Sequence, residues 1–102
     1  MKNTLKLVLT DQWYDITGTN QKMMELRENS KYIRSRLLNK DGTFRHYDFI
    51  ELQKAYRKNA EKKIYKITKI YQWPNACTYY FLNNITAKFG INHFVIEFQQ
   101  IK

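Results

Sequence analysis

With 102 residues the chain is the size of one domain, and 43% hydrophobic and 16% aromatic residues beside three glycines and one proline exclude a disordered tail. A net charge of +9, eighteen Lys/Arg against nine Asp/Glu, favours an anionic partner, chiefly nucleic acid or anionic lipid. No apolar run approaches the roughly 18–20 residues of a membrane span, the stretch from Leu5 to Leu9 is too short and polar for a signal peptide, and Cys77 is the sole cysteine, with His46 and His93 at no zinc spacing. The expectation is a soluble, cytoplasmic single domain over 1–102, with no metal, cofactor, disulfide or membrane partner.

The charge has a bland explanation too. Lys, Asn, Ile and Tyr all have A/T-rich codons, and a low-GC genome, a phage's for instance, raises lysine without any binding role. Position argues against this. Residues 1–51 hold nine basic and seven acidic residues, whereas residues 52–96 hold eight basic residues and only Glu61 on the acidic side. Such asymmetry predicts a basic face.

In chain order, Leu5, Leu7 and Leu9 alternate with Lys6 and Val8, which predicts a half-buried strand. Thr10 and Asp11 are N-cap candidates for a short helix with Trp13, Ile16 and Thr17 on its inner side, stopped by Gly18-Thr19-Asn20. A second strand is expected from Met23 to Glu28, with Met24 and Leu26 on one face and Glu25 and Arg27 on the other. Tyr32 to Leu38 reads as a helix with Ile33 and Leu37 inward, Asn39-Lys40-Asp41-Gly42 as a turn, and Tyr47 to Leu52 as a third strand. Gln53 to Asn59 is a basic loop. Lys62 to Trp73 predicts a long strand with Lys63, Tyr65, Ile67, Lys69 and Tyr71 on one face, ended by Pro74. Residues 75–90 are open between helix and loop, and His93 to Gln99 is a last strand. Five strands with two or three short helices suggest a small, closed or partly closed α+β barrel.

Residues 7–38 read LVLTDQWYDITGTNQKMMELRENSKYIRSRLL. A leading strand, a Trp/Tyr-Asp helix, a G-x-K-x-x-E-x-R pattern and a short basic helix resemble the ASCH family of PUA-like barrels. Lys22, Glu25 and Arg27 occupy the K, E and R positions, and Asn20 replaces the glycine. Tyr56-Arg57-Lys58-Asn59-Ala60 is similar to the G-Y-G-K-N-A loop of one branch, with Ala55 and Arg57 in place of its glycines. His93 to Ile101 resembles the closing strand F-x-V-I-E-F. The resemblance implies a PUA-like β-barrel of about five strands, with a cleft lined by the Lys22-Glu25-Arg27 strand, that binds RNA or a modified nucleotide. One small branch of the family consists of acetylcytidine amidohydrolases, and others are linked to RNA cleavage.

In such a cleft Lys22 can meet phosphate, Glu25 can accept from a base amine, and Arg27 can hold Glu25 or grip phosphate as a fork. The alternative is a surface ion pair on an edge strand. Tyr56 among Lys54, Arg57, Lys58 and Asn59 is the arrangement single strands need, a ring that stacks a base while cations follow phosphates. Lys62, Lys63, Lys66 and Lys69 extend the track, but alternation allows at most half of them onto one face. Trp73, Tyr79, Tyr80 and Phe81 read as core or lid, His46 and His93 as ordinary polar residues, and Cys77 as a small buried residue.

Three functions follow. The first is an RNA- or nucleotide-binding module using Lys22, Glu25, Arg27, Lys54, Tyr56, Arg57, Lys58 and Asn59. The second is an amidohydrolase on an acylated nucleobase, with Lys22 and Glu25 catalytic. The related hydrolases use a lysine, a threonine three residues later and a glutamate between the last two strands. Here Glu25 stands in the threonine's place, and residues 62–96 contain neither Asp nor Glu. A carboxylate beside a lysine also favours the charged ammonium, a poor nucleophile. The third is a protein-interaction module of phage origin, permitted by composition and supported by no motif.

Overall fold

The structure, a computed structural model, describes residues 3–18, 22–81 and 84–101. Thr19 and Asn20, where the expected helix stop and the replaced glycine fall, lie outside the described residues. The elements are β1 (Thr4–Leu9), α1 (Asp11–Ile16), β2 (Met24–Arg27), α2 (Lys31–Leu37), β3 (Phe49–Lys54), β4 (Lys62–Trp73), β5 (Cys77–Phe81), β6 (Ile85–Phe89) and β7 (His93–Gln99). Five strands form one curled half-barrel sheet in the order β1-β3-β4-β7-β2, and β5 and β6 pair separately. The fold is thus α+β and barrel-like.

β1 and β3 run parallel, from Thr4↔Phe49 to Leu9↔Lys54, while the other pairs are antiparallel. Between β1 and β3 the chain makes α1, crosses to the far edge for β2, and returns through α2. β1 and β2 are therefore opposite edges of the sheet. The curl brings them within reach of one side chain: Arg27 Nη2 on β2 donates to the Val8 carbonyl on β1 at 3.0 Å. A guanidinium stands where a closed barrel would have a strand ladder.

The core follows the strand alternation. Leu5, Leu7 and Leu9 face Ile50 and Leu52, and the opposite wall is Phe94, Ile96 and Phe98. α2 adds Ile33 and Leu37, one turn apart, and the Ser30 hydroxyl accepts from the Ile33 amide at its start. In α1 the buried residue is Tyr14, not the expected Trp13 or Ile16, which are half-buried; Thr17 is buried as expected. The rotation has a cause. Lys63 donates to the carbonyls of Tyr14 and Thr17 at 2.8 and 3.0 Å and lies 4.3 Å from the Tyr14 ring, pinning that side of α1 to β4. Gly18 then turns the chain at φ +82°, where a Cβ would collide with the Tyr65 hydroxyl.

Three further expectations are corrected. The third strand starts two residues late, at Phe49, because Tyr47 is tied by its hydroxyl to the Arg36 carbonyl. Within residues 75–90, expected as helix or loop, Cys77–Phe81 and Ile85–Phe89 instead pair as antiparallel strands, rich in the aromatic and β-branched residues Thr78, Tyr79, Tyr80, Phe81, Ile85, Thr86 and Phe89. Long β4 does not keep one alternation. A bulge between Ile67 and Lys69 shifts its register against β7, so Ile70 follows Tyr65 and Ile67 onto the core side.

Candidate functional site

The predicted triad assembles around one carboxylate. Glu25 and Arg27 pair with Ile96 and Phe94 across β2 and β7, so they point into the concave side of the sheet. Lys22 lies two residues before β2, in a bridge with Thr17. Lys22 Nζ donates to Glu25 Oε1 at 2.9 Å and to Thr17 Oγ1 at 3.2 Å. Arg27 donates to Glu25 Oε2 through Nε and Nη2, at 2.9 and 2.8 Å. Thr17 Oγ1 in turn donates to the Trp13 carbonyl at 2.6 Å. Lys22 and Glu25 retain only 4% and 3% exposure. The alternative of a surface ion pair is therefore excluded for Lys22 and Glu25, because the sheet curls over the triad. Of about four acceptor positions on a carboxylate, three are occupied. Arg27, with a 23% exposed side chain, is the member that meets solvent.

The basic loop comes to the same end of β1. The Ala55 amide donates to the Leu9 carbonyl at 2.7 Å, one residue beyond the carbonyl that Arg27 takes. Ala55 and Asn59 both have left-handed φ, 58° and 57°. Not all of the loop's cations are available. Arg57 bonds Asp11 at 2.7 Å, and Lys54, at the end of β3, bonds Asp15 at 3.1 Å. The hydrogen bond from Arg57 holds the Asp11 carboxyl below its ordinary value, and the bond to Asp15 raises the Lys54 ammonium. Both acids sit on α1, so these two cations anchor the loop. Tyr56, by contrast, is 89% exposed, with Lys58 and Asn59 exposed beside it.

The bulge rearranges the lysine track. Before it, Lys62, Ile64 and Lys66 alternate outward. After it, Lys69 pairs with Glu97 and lies 4.7 Å from the ring of Tyr71, on that same outer side. Lys62, Lys66 and Lys69 thus share one exposed face, whereas unbroken alternation would have divided them. Lys63 is the inward exception, spent on α1. Glu51 and Glu97 are the acids interspersed on the outer face.

Other expectations change as well. His93 is fully buried. Its Nδ1 lies 2.7 Å from the Gly90 carbonyl, an acceptor only, so Nδ1 carries the proton; Nε2 lies 2.7 Å from the Tyr79 hydroxyl. This pair joins the hairpin to the sheet. Trp73 and Tyr80 are exposed rather than core, and Cys77 is half-buried. Two features are hidden from a reading of the sequence. Thr17 looks like a helix core residue, and only the bridge to Lys22 reveals its hydroxyl as a partner. Arg36 and Arg45 carry no motif, because their helix and loop are brought together only by the tertiary fold. Among the described residues no helix is long and apolar enough to cross a membrane, and no group of three or more His, Cys, Asp or Glu could hold a metal.

Comparison with protein-family models, curated proteins and solved structures finds no match to this chain.

Proposed function

We propose that the chain is an ASCH-like, PUA-like domain that binds single-stranded RNA or a modified nucleotide. The observation that carries the reading is the basic outer face. An exposed Tyr56 stands beside Lys58 at the tip between β3 and β4, and Lys62, Lys66 and Lys69 continue along β4 on one side. A π-face with a line of cations suits bases and phosphates of a flexible strand. The triad supports this by positioning. Arg27, held by Glu25, fixes the Val8 carbonyl, and the loop hangs from the next residue. The left-handed Ala55, where the similar loop has glycine, fits the same reading.

Filter binding of a single-stranded RNA tests it. Tyr56→Ala should weaken binding by about 1–3 kcal/mol. Changing Lys62, Lys66 or Lys69 to Gln should each lower the salt slope by about 0.7 for every phosphate that lysine neutralises. Absence of measurable affinity at low salt for any single strand would sink the reading.

One observation favours a second reading. Lys22 Nζ touches both a threonine hydroxyl and a glutamate carboxylate, so a Lys–Thr–Glu set exists, with its threonine supplied by α1's C-terminal end. An amidohydrolase built this way would release acetate from acetylcytidine, and Thr17→Val would abolish the release. No acetate from the parent chain excludes that reading.

A further inference from the structure

A cavity of about 460 Å³ opens where the start of β1, the end of α2 and segment 45–47 meet. Lys6, Arg36, Arg45 and His46 line it, and no carboxylate does. Arg36 is held in place: its Nη2 donates to the Lys6 carbonyl at 3.0 Å, and its own carbonyl accepts from the Tyr47 hydroxyl at 2.6 Å. Its Nε is buried and has no hydrogen-bond partner. Arg45 is fixed beside it, donating to the Ser35 carbonyl at 3.3 Å with its guanidinium 5.8 Å from the Tyr47 ring.

A second cavity of about 340 Å³ shares Arg45, His46 and Tyr47 with the first. Its far wall is apolar, with Phe44, Ile67 and Ile70. Phe44 is 39% exposed and braced edge-on by Phe94. Asp48 lies on this second side, bonded to His46 at 2.8 Å, and Glu51 is the register partner of Lys6 on β3. Asp48 and Lys69 both line the apolar chamber, whereas the Arg36 side is lined by basic and neutral residues alone and is the place for negative charge. Both volumes fall in or near the range of small-ligand sites and exceed what a bare phosphate fills.

We propose that this double cavity binds a phosphate monoester attached to a nucleoside, with the phosphate on Lys6, Arg36 and Arg45 and the base against Phe44. Arginine forks match phosphate oxygens, and an exposed ring accepts any base face. The site shares only Lys69 with the proposed strand track, is otherwise separate from the Tyr56 loop, and stands whether or not that loop binds a strand. The phosphate's source is either a free mononucleotide or the 5′ end of a strand.

Isothermal titration calorimetry on the full chain at constant ionic strength tests the proposal. The ligands are adenosine 5′-monophosphate, adenosine, and a trinucleotide with a 5′-phosphate or a 5′-hydroxyl. The monophosphate should bind saturably at one site, and adenosine about tenfold or more weaker. Arg36→Lys keeps the charge but loses the fork, and should weaken the monophosphate about tenfold or more. Arg45→Gln tests the same site on a residue outside the helices, and Lys88→Gln, which removes a charge on β6, should leave binding unchanged. Tighter binding of the 5′-phosphorylated trinucleotide than of the monophosphate assigns a strand end, and equal binding a free nucleotide; both uphold the site. Equal binding of adenosine and its monophosphate overturns it. So does parent-like affinity in both folded arginine variants. Failure of the Tyr56 loop to bind RNA would leave these results untouched.

Discussion

Glu25 accepts one hydrogen bond from Lys22 and two from Arg27 while almost sealed from water. Removing the carboxylate leaves two cations facing each other in a site with little solvent. Breaking a buried pair in this way typically costs about 3–5 kcal/mol. Glu25→Leu should therefore lower the melting temperature by roughly 15–30 °C for a chain of this size. Adding Lys22→Met should recover part of the loss, because one of the stranded charges is gone. Thermal unfolding of the single and double variants checks both statements. Asp11 answers to pH instead. The hydrogen bond from Arg57 puts its folded value below the ordinary 3.8. Depression of a folded carboxyl gives an anchor fully present above the ordinary value and lost as pH falls through the folded one. Amide exchange at residues 55–60 should thus stay slow down to about pH 4 and, once corrected for intrinsic rates, speed up below it. Arg57→Gln should show the faster exchange already at neutral pH.

Among the elements, β4 shows best what a sequence reveals and what it hides. Its extent, Lys62–Trp73, follows from a run of β-branched and aromatic residues and is legible in advance. Its bulge is not. Two lysines and a threonine around Ile67 fit either parity, and the choice is made by Phe98 and Ile96 on β7, far along the chain. The same division holds for the site. Lys22, Glu25 and Arg27 stand out through the resemblance of their pattern to a known family, but their burial depends on a curl that joins opposite edges of the sheet. Tyr71 gives a test of the register after the bulge. The Glu97 carboxylate near its hydroxyl, together with burial, pushes it up to about 12. A raised folded value keeps this contribution intact below the ordinary 10.0 and removes it as pH rises towards the folded one. Ultraviolet titration should show one phenol ionising near 12, absent in Tyr71→Phe. A Tyr71 that ionises near its ordinary 10.0 in the folded chain would contradict the register.

For the whole molecule, the net charge of +9 acquires a shape. Nine of the cations fall into three roles that the count alone cannot separate. Lys54, Arg57 and Lys63 fasten α1 and the loop to the sheet. Lys58, Lys62, Lys66 and Lys69 remain outward. Arg27 and Arg36 do something else: they take the carbonyls of Val8 and Lys6, alternate residues along the open edge of β1. A bare edge strand is a template for another chain's backbone. Arg27→Leu should uncover it. The variant should self-associate in a concentration-dependent way in sedimentation velocity, beyond the parent chain, and a variant no more associated than the parent would mean the edge is guarded by other means. The arginine that closes the half-barrel on itself is then also what keeps one molecule from being extended by the next.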